Sequence, residues 1–204
     1  MGGDGRGVLV GRFRRRGLKG AEASSLVEFA IALPLLVVLV VGIFDFGGAF
    51  NAKQELNNAV REGARFGAAQ PGNDLSNSGT PASVDAIRIV VDSYLKTERI
   101  NDCALDSASG TPAGVQTWAY TTTSSGGCAG TLTLTIVRGF PDCSLLATGY
   151  GTPNPITVNV PCTQVKISYP YQWHFNNVIQ LILPGASYGG LLQIQTDATV
   201  PNLN

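Results

Sequence analysis

The sequence predicts an α+β protein: a long N-terminal membrane-spanning helix continues into a small domain, a helix packed on a four- to five-stranded antiparallel sheet. Three observations predict it. Leu26 to Phe50 is a run of twenty-five residues with only two charges, long enough at about 1.5 Å per residue to cross a hydrocarbon core of about 30 Å. Downstream of it, Phe46, Ala49, Phe50, Leu56, Ala59, Val60, Gly63, Ala64 and Gly67 recur mostly three and four apart. Asn51, Gln54, Glu55, Asn58, Arg61, Glu62 and Arg65 fill the other face, so the helix becomes amphipathic. Beyond Cys103 the apolar period falls to two, as half-buried strands require.

Taken in order, the elements divide the chain into a basic leader (1–23), a transmembrane helix (24–50), an amphipathic extension (51–69), a linker (70–81) and an ectodomain with cysteines (82–204). Of the fourteen Lys and Arg, six precede residue 20: Arg6, Arg12, Arg14, Arg15, Arg16 and Lys19. A basic flank of this kind places the N-terminus in the cytoplasm and the C-terminal domain outside, periplasmic or extracellular. A cleaved secretory signal is the competing reading, with Gly47-Gly48-Ala49 as its small-residue cut. The long leader and the helical pattern running through that cut oppose it.

Within the apolar run, Pro34 removes a backbone hydrogen bond and is expected to kink or loosen the helix. Glu28 and Asp45 are carboxylates near its two ends. An acid within a bilayer costs a few kcal/mol by insertion scales, which makes it a functional candidate, whereas one near an end can also reach the interface.

The linker Gln70–Gly79 is rich in turn residues and ends in Thr80-Pro81, an N-cap and first-turn pair for a helix reaching Thr97. Val84, Ile87, Val91, Tyr94 and Leu95 form its apolar face. Strands are expected at Leu132–Ile136, Ile156–Val160, Val165–Tyr169 and Leu192–Ile194, with another over Val115–Thr121. Tyr169, Tyr171, Trp173 and Phe175 form an aromatic row on one strand face, read as sheet packing before a ligand platform. Phe175 to Leu183 is a further short apolar patch, read as core.

The four cysteines, Cys103, Cys128, Cys143 and Cys162, all follow the apolar run. An even number on an exported domain suggests two disulfides, with three pairings open. Cys103–Cys128 with Cys143–Cys162 is the preferred pairing, because each closes a short loop. There is no C-x-x-C and His174 is the sole histidine, so neither a metal site nor a cofactor is expected. No H-E-x-x-H, G-x-S-x-G, phosphate-binding loop or dinucleotide fingerprint occurs, and no catalytic residue is assigned. From Asn51 onward eight basic face ten acidic residues, so no nucleic-acid footprint is expected either.

The motifs occur in a specific order: Gly20, Leu26-Val27-Glu28-Phe29-Ala30, Leu33-Pro34-Leu35-Leu36, Gly42-Ile43-Phe44-Asp45-Phe46-Gly47 and Asn58-Ala59-Val60-Arg61-Glu62-Gly63-Ala64-Arg65. Over about Gly20 to Ala69 this order resembles TadE-like proteins of the tight-adherence (Tad, or Flp) branch of type IV pilus systems. The resemblance implies a minor pilin or pseudopilin whose partners are other pilin subunits, inner-membrane Tad assembly proteins and the lipid bilayer. A prepilin peptidase is implied to remove the leader. Glu28 is then the acid that neutralises the new N-terminal ammonium of a neighbouring subunit, and Phe29, Pro34 and Asp45 match the same assembly helix. Counting five residues back from Glu28 puts the cut between Ala23 and Ser24, with Ala23 where the family has glycine. A cut between Gly20 and Ala21 would place Glu28 eighth. The alternative is a static membrane-anchored assembly or binding protein that keeps its leader.

Overall fold

The structure, a computed structural model, describes residues 19–76, 79–123, 126–140, 144–147, 156–173, 185 and 192–202. The chain forms two compact units, Met1–Gly42 and Ile43–Asn204. Helix α1 (Lys19–Ala68) supplies residues to both, and it continues past Pro34 as one element. In the first unit Leu26, Val27, Phe29, Ile31, Leu35, Leu36 and Leu39 are all exposed. A helix stretch with this many large apolar side chains exposed suits a bilayer, not water.

The second unit is an antiparallel sheet with helices against one face. Helix α2 spans Ala82–Thr97. The strands are β1 (Gly110–Gly114), β2 (Thr117–Thr123), β3 (Thr131–Phe140), β4 (Ser144–Ala147), β5 (Ile156–Asn159), β6 (Cys162–Tyr171) and β7 (Leu192–Pro201). The main sheet has the order β1-β2-β3-β6-β7, and β4 pairs with β5 as a separate two-stranded sheet. Every pairing is antiparallel. The α+β architecture with a five-stranded sheet is the one expected from sequence. The alternating run at Ile156 does form a strand, but it joins β4 instead of the main sheet. Strand β1 had no period-two signal, because Gly110-Thr111-Pro112-Ala113-Gly114 carries almost no apolar side chain to alternate.

Alternation decides which face is buried. Leu132, Leu134 and Ile136 of β3 are wholly buried beside Val165 and Ile167 of β6, while Thr131, Thr133 and Thr135 lie on the opposite face. Leu56, Ala59, Val60 and Ala64 of α1 and Val84, Ile87, Val91 and Leu95 of α2 complete this core. Glycine lets the two helices approach closely. A Cβ at Gly63 would lie 2.6 Å from Val91 Cγ2, and one at Gly67 2.6 Å from Ile87 Cδ1.

The start of α2 differs from the sequence expectation by one residue. Pro81 is the extended N-cap, and the Thr80 hydroxyl instead donates to the Gly110 carbonyl at 2.7 Å. The capping role passes to Asp74, whose carboxylate accepts from the Ser83 amide at 2.8 Å and the Ser83 hydroxyl at 2.9 Å. A carboxylate at a helix N-terminus satisfies amides left without intrahelical partners and complements the helix dipole.

Two arginines are buried where their residue type is rarely found. Arg88 donates to Asp85 at 2.7 Å and to the carbonyls of Leu105 and Asp106 at 3.1 and 3.0 Å. Its guanidinium also lies over the Tyr120 ring. Arg138, at the end of β3, donates to the Gln70 carbonyl at 2.9 Å, just past the end of α1. Burial pushes its pKa down.

Cys103 and Cys128 form a disulfide across 25 residues, as the short-loop pairing predicts. Gly126 (φ +61°) packs so tightly on this bridge that a Cβ there would be 2.6 Å from the Ala104 amide nitrogen. The Asn101 side chain ties the two strands of the loop, donating to the Gly126 carbonyl at 2.7 Å and accepting from the Cys103 amide at 2.9 Å. Cys162 is buried and disulfide-bonded. Cys143, its expected partner, lies outside the described residues, as do His174 and the apolar patch Phe175 to Leu183.

Candidate functional site

The residues singled out on α1 fall into two surroundings, one in each unit. In the first unit, Glu28 is exposed and its carboxylate accepts from the Ser24 hydroxyl at 3.3 Å, one helical turn away. Phe29 beside it is 63% exposed. Pro34 is exposed on the same helix, which it does not interrupt. Both candidate cut positions, Ala23-Ser24 and Gly20-Ala21, lie within the helical element that begins at Lys19. This segment therefore offers a largely apolar cylinder that carries the exposed Glu28 carboxylate near its N-terminal end. In lipid or among other helices, such a group gains most from a cation brought by another chain, since a lone charge there is costly.

Asp45, in the second unit, is different: it is 2% exposed. It lies near Tyr171, at the end of β6, whose hydroxyl pKa is pushed up by burial and then by the Asp45 charge. Gly48, nearly one turn on, makes room for that phenol, because a Cβ there would be 2.7 Å from its oxygen. Tyr171 in turn meets Trp173 edge to face at 5.7 Å between ring centroids, and Trp173 meets Phe46 at 5.4 Å. Edge-to-face pairs of this kind contribute about 0.5–1.5 kcal/mol beyond the area they bury. The aromatic row thus packs α1 to the sheet over Tyr169 to Trp173, as its strand spacing suggested.

Sequence reasoning missed the Gly48–Tyr171 contact and the pairing of Phe46 with Trp173. The available signal was composition: Gly47-Gly48 inside a helix that otherwise lacks a break, and a strand row of rings with no assigned partner. Among the described residues no group of three or more His, Cys, Asp or Glu could hold a metal ion.

Together these features define a protein with one helix long and apolar enough to cross a membrane, Ser24–Ala68 in the described chain, joined to an α+β domain. Residues 23–65 match the family model of TadE-like protein. This is the segment that carries the motif order from Glu28 to Arg65. Comparison with curated proteins and with solved structures returned no match.

Proposed function

We propose that this chain is a minor pilin or pseudopilin, a non-enzymatic structural or assembly component of a Tad/Flp-type pilus that packs through its N-terminal hydrophobic helix. The observation that carries this reading is a coincidence of position. The TadE-like match, residues 23–65, includes the stretch of α1 from Leu26 to Val40 whose apolar side chains are largely exposed, together with the exposed Glu28 carboxylate. Other pilin subunits cover that surface in the assembled state, and inner-membrane Tad proteins handle it before assembly.

The chemistry follows from the two acids. Glu28 is exposed and free to meet the N-terminal ammonium of a neighbour, released when a prepilin peptidase cuts between Ala23 and Ser24. Asp45 is buried against its own domain and serves the fold. Neutralising two charges together inside a helix bundle removes a cost that either would carry alone.

The test is twofold. Intact mass and N-terminal sequencing of membrane-purified protein should give a chain beginning at Ser24, and the protein should co-purify with sheared pili. Glu28→Ala should reduce pilus number while membrane insertion is retained, and normal piliation in that variant would sink the assigned role. An intact leader in a protein absent from sheared pili would instead support a static membrane-anchored assembly or adhesion protein. The motif itself supplies the ground for that second reading, since Ala23 stands where the family has glycine.

A further inference from the structure

We propose that the folded unit Ile43–Asn204 docks onto the membrane surface itself, with part of a phospholipid acyl chain filling an apolar groove between α1 and the ends of β6 and β7. The groove measures about 280 Å³, and Phe46, Phe50, Lys53, Trp173 and Leu192 line it. Phe46, Phe50 and Lys53 lie four and three residues apart and so share one face of α1. Phe46 is 58% exposed, Phe50 65% and Leu192 39%.

This concentration is local. Among the described residues of the unit, the other large exposed apolar side chains are Ile43 and Phe44, at the entry to the same stretch, and Ile89 and Val115 elsewhere. A contiguous exposed apolar patch with a charged rim marks an interaction surface.

Chain connectivity selects the bilayer as the occupant. Crossing the hydrocarbon core takes about 20 helical residues. Counted from Leu26, these end near Asp45, so Phe46 to Lys53 emerge directly into the interfacial layer. At 1.5 Å per residue, Phe50 stands about 6 Å and Lys53 about 10 Å beyond Phe46. The interfacial layer on each side is itself roughly 5–8 Å thick. The rings therefore fall at the boundary of acyl chains and headgroups, where Trp and other amphipathic rings concentrate. The Lys53 ammonium falls at the phosphates, its stem lying along apolar surface. A protein partner would have to displace lipid from this belt.

The proposal rests on the membrane crossing of α1 and not on the pilin role. The full chain, reconstituted in vesicles of phosphatidylcholine and phosphatidylglycerol, is examined by tryptophan fluorescence with lipids brominated on the acyl chain as quencher. Trp118 is buried in the core and supplies an unquenched background. Expected is strong quenching in the wild type, lost in Trp173→Phe and weakened in Phe50→Asp, with far-UV circular dichroism and Trp118 emission preserved. Quenching of Trp173 by aqueous iodide and not by brominated lipid would overturn the proposal. So would lipid quenching that falls as protein density in the membrane rises, because a second copy would then fill the groove. Release of the chain by alkaline carbonate would overturn the crossing as well, whereas retention with an unquenched Trp173 overturns the docking alone.

Discussion

Gly48 and Tyr171 are in contact across the junction of α1 with the sheet: a Cβ on residue 48 would stand 2.7 Å from the Tyr171 hydroxyl oxygen and 3.9 Å from Cζ. The overlap is with the oxygen alone, which gives a test with a change of sign. In the wild type, Gly48→Ala should destabilise the domain by about 1–3 kcal/mol through overpacking. In a Tyr171→Phe background the clash is gone, and the same change should be neutral or stabilising by up to about 1 kcal/mol from helix propensity. Thermal unfolding of the full chain in detergent micelles, followed by circular dichroism, reads both arms. An unchanged effect of Gly48→Ala in the two backgrounds would remove the contact from the account.

The close approach of α1 and α2 yields a second prediction. Gly67→Ala places a methyl 2.6 Å from Ile87 Cδ1 and 2.8 Å from Thr163 Cγ2, and Gly63→Ala places one 2.6 Å from Val91 Cγ2. Each should lower stability by about 1–3 kcal/mol. Gly47→Ala meets nothing within 4 Å and should be neutral or mildly stabilising. Equal effects at Gly47 and Gly67 would show that helix propensity alone, without packing, governs these sites.

The Cys103–Cys128 bridge closes a separation of 25 residues. By loop-closure entropy its loss should cost about 3 kcal/mol, so a Cys103→Ser, Cys128→Ser protein should melt well below the wild type. Gly126→Ala should weaken the same region without removing the bond, because its methyl would press on the Cys103–Ala104 backbone. Comparing melting with and without reductant separates the two effects.

Acid should weaken the α2 face through Asp85. The Arg88 side-chain hydrogen bond holds the Asp85 carboxyl below its ordinary pKa, against the opposing push of burial. A depressed folded pKa means that the stabilisation is present above the unfolded value, about 3.9, and is lost as pH falls through the lower folded value. Asp85→Asn should therefore be less stable than wild type near neutral pH, with the gap closing below about pH 4. The Asp85 side chain is 43% exposed, so solvent screening limits the gap to about 1 kcal/mol or less. Unfolding midpoints from pH 2.5 to 7 check it, and a gap that widens on acidification would contradict the sign.

Much of this molecule is legible in its sequence because local periodicity reports burial directly. The three-four spacing through Leu56, Ala59, Val60, Ala64 and Gly67 is the buried face of α1, and the alternation at Leu132, Leu134 and Ile136 is the inner face of β3. That α1 is long and apolar enough to cross a membrane was legible from length and scarcity of charge alone. The TadE-like segment was equally visible, because its motifs lie in one continuous stretch, 23–65. The Cys103–Cys128 bond was one of three pairings the sequence left open, and the structure selects it.

Periodicity tells which face is hidden, however, and not what hides it. Hydropathy alone does not distinguish Glu28 from Asp45: both are acids near the ends of one apolar run. Tertiary structure separates them, leaving Glu28 open while setting Asp45 among residues that include Tyr171, more than a hundred positions away. The same holds for Arg88 and Arg138, whose guanidinium groups donate hydrogen bonds to the distant carbonyls of Leu105 and Asp106 and of Gln70 respectively. It holds for Ile156–Asn159, where alternation specified a strand but only the fold chose β4 as its neighbour. A charge or a strand edge is stabilised by partners brought from elsewhere in the chain, and that information enters only when the chain closes on itself.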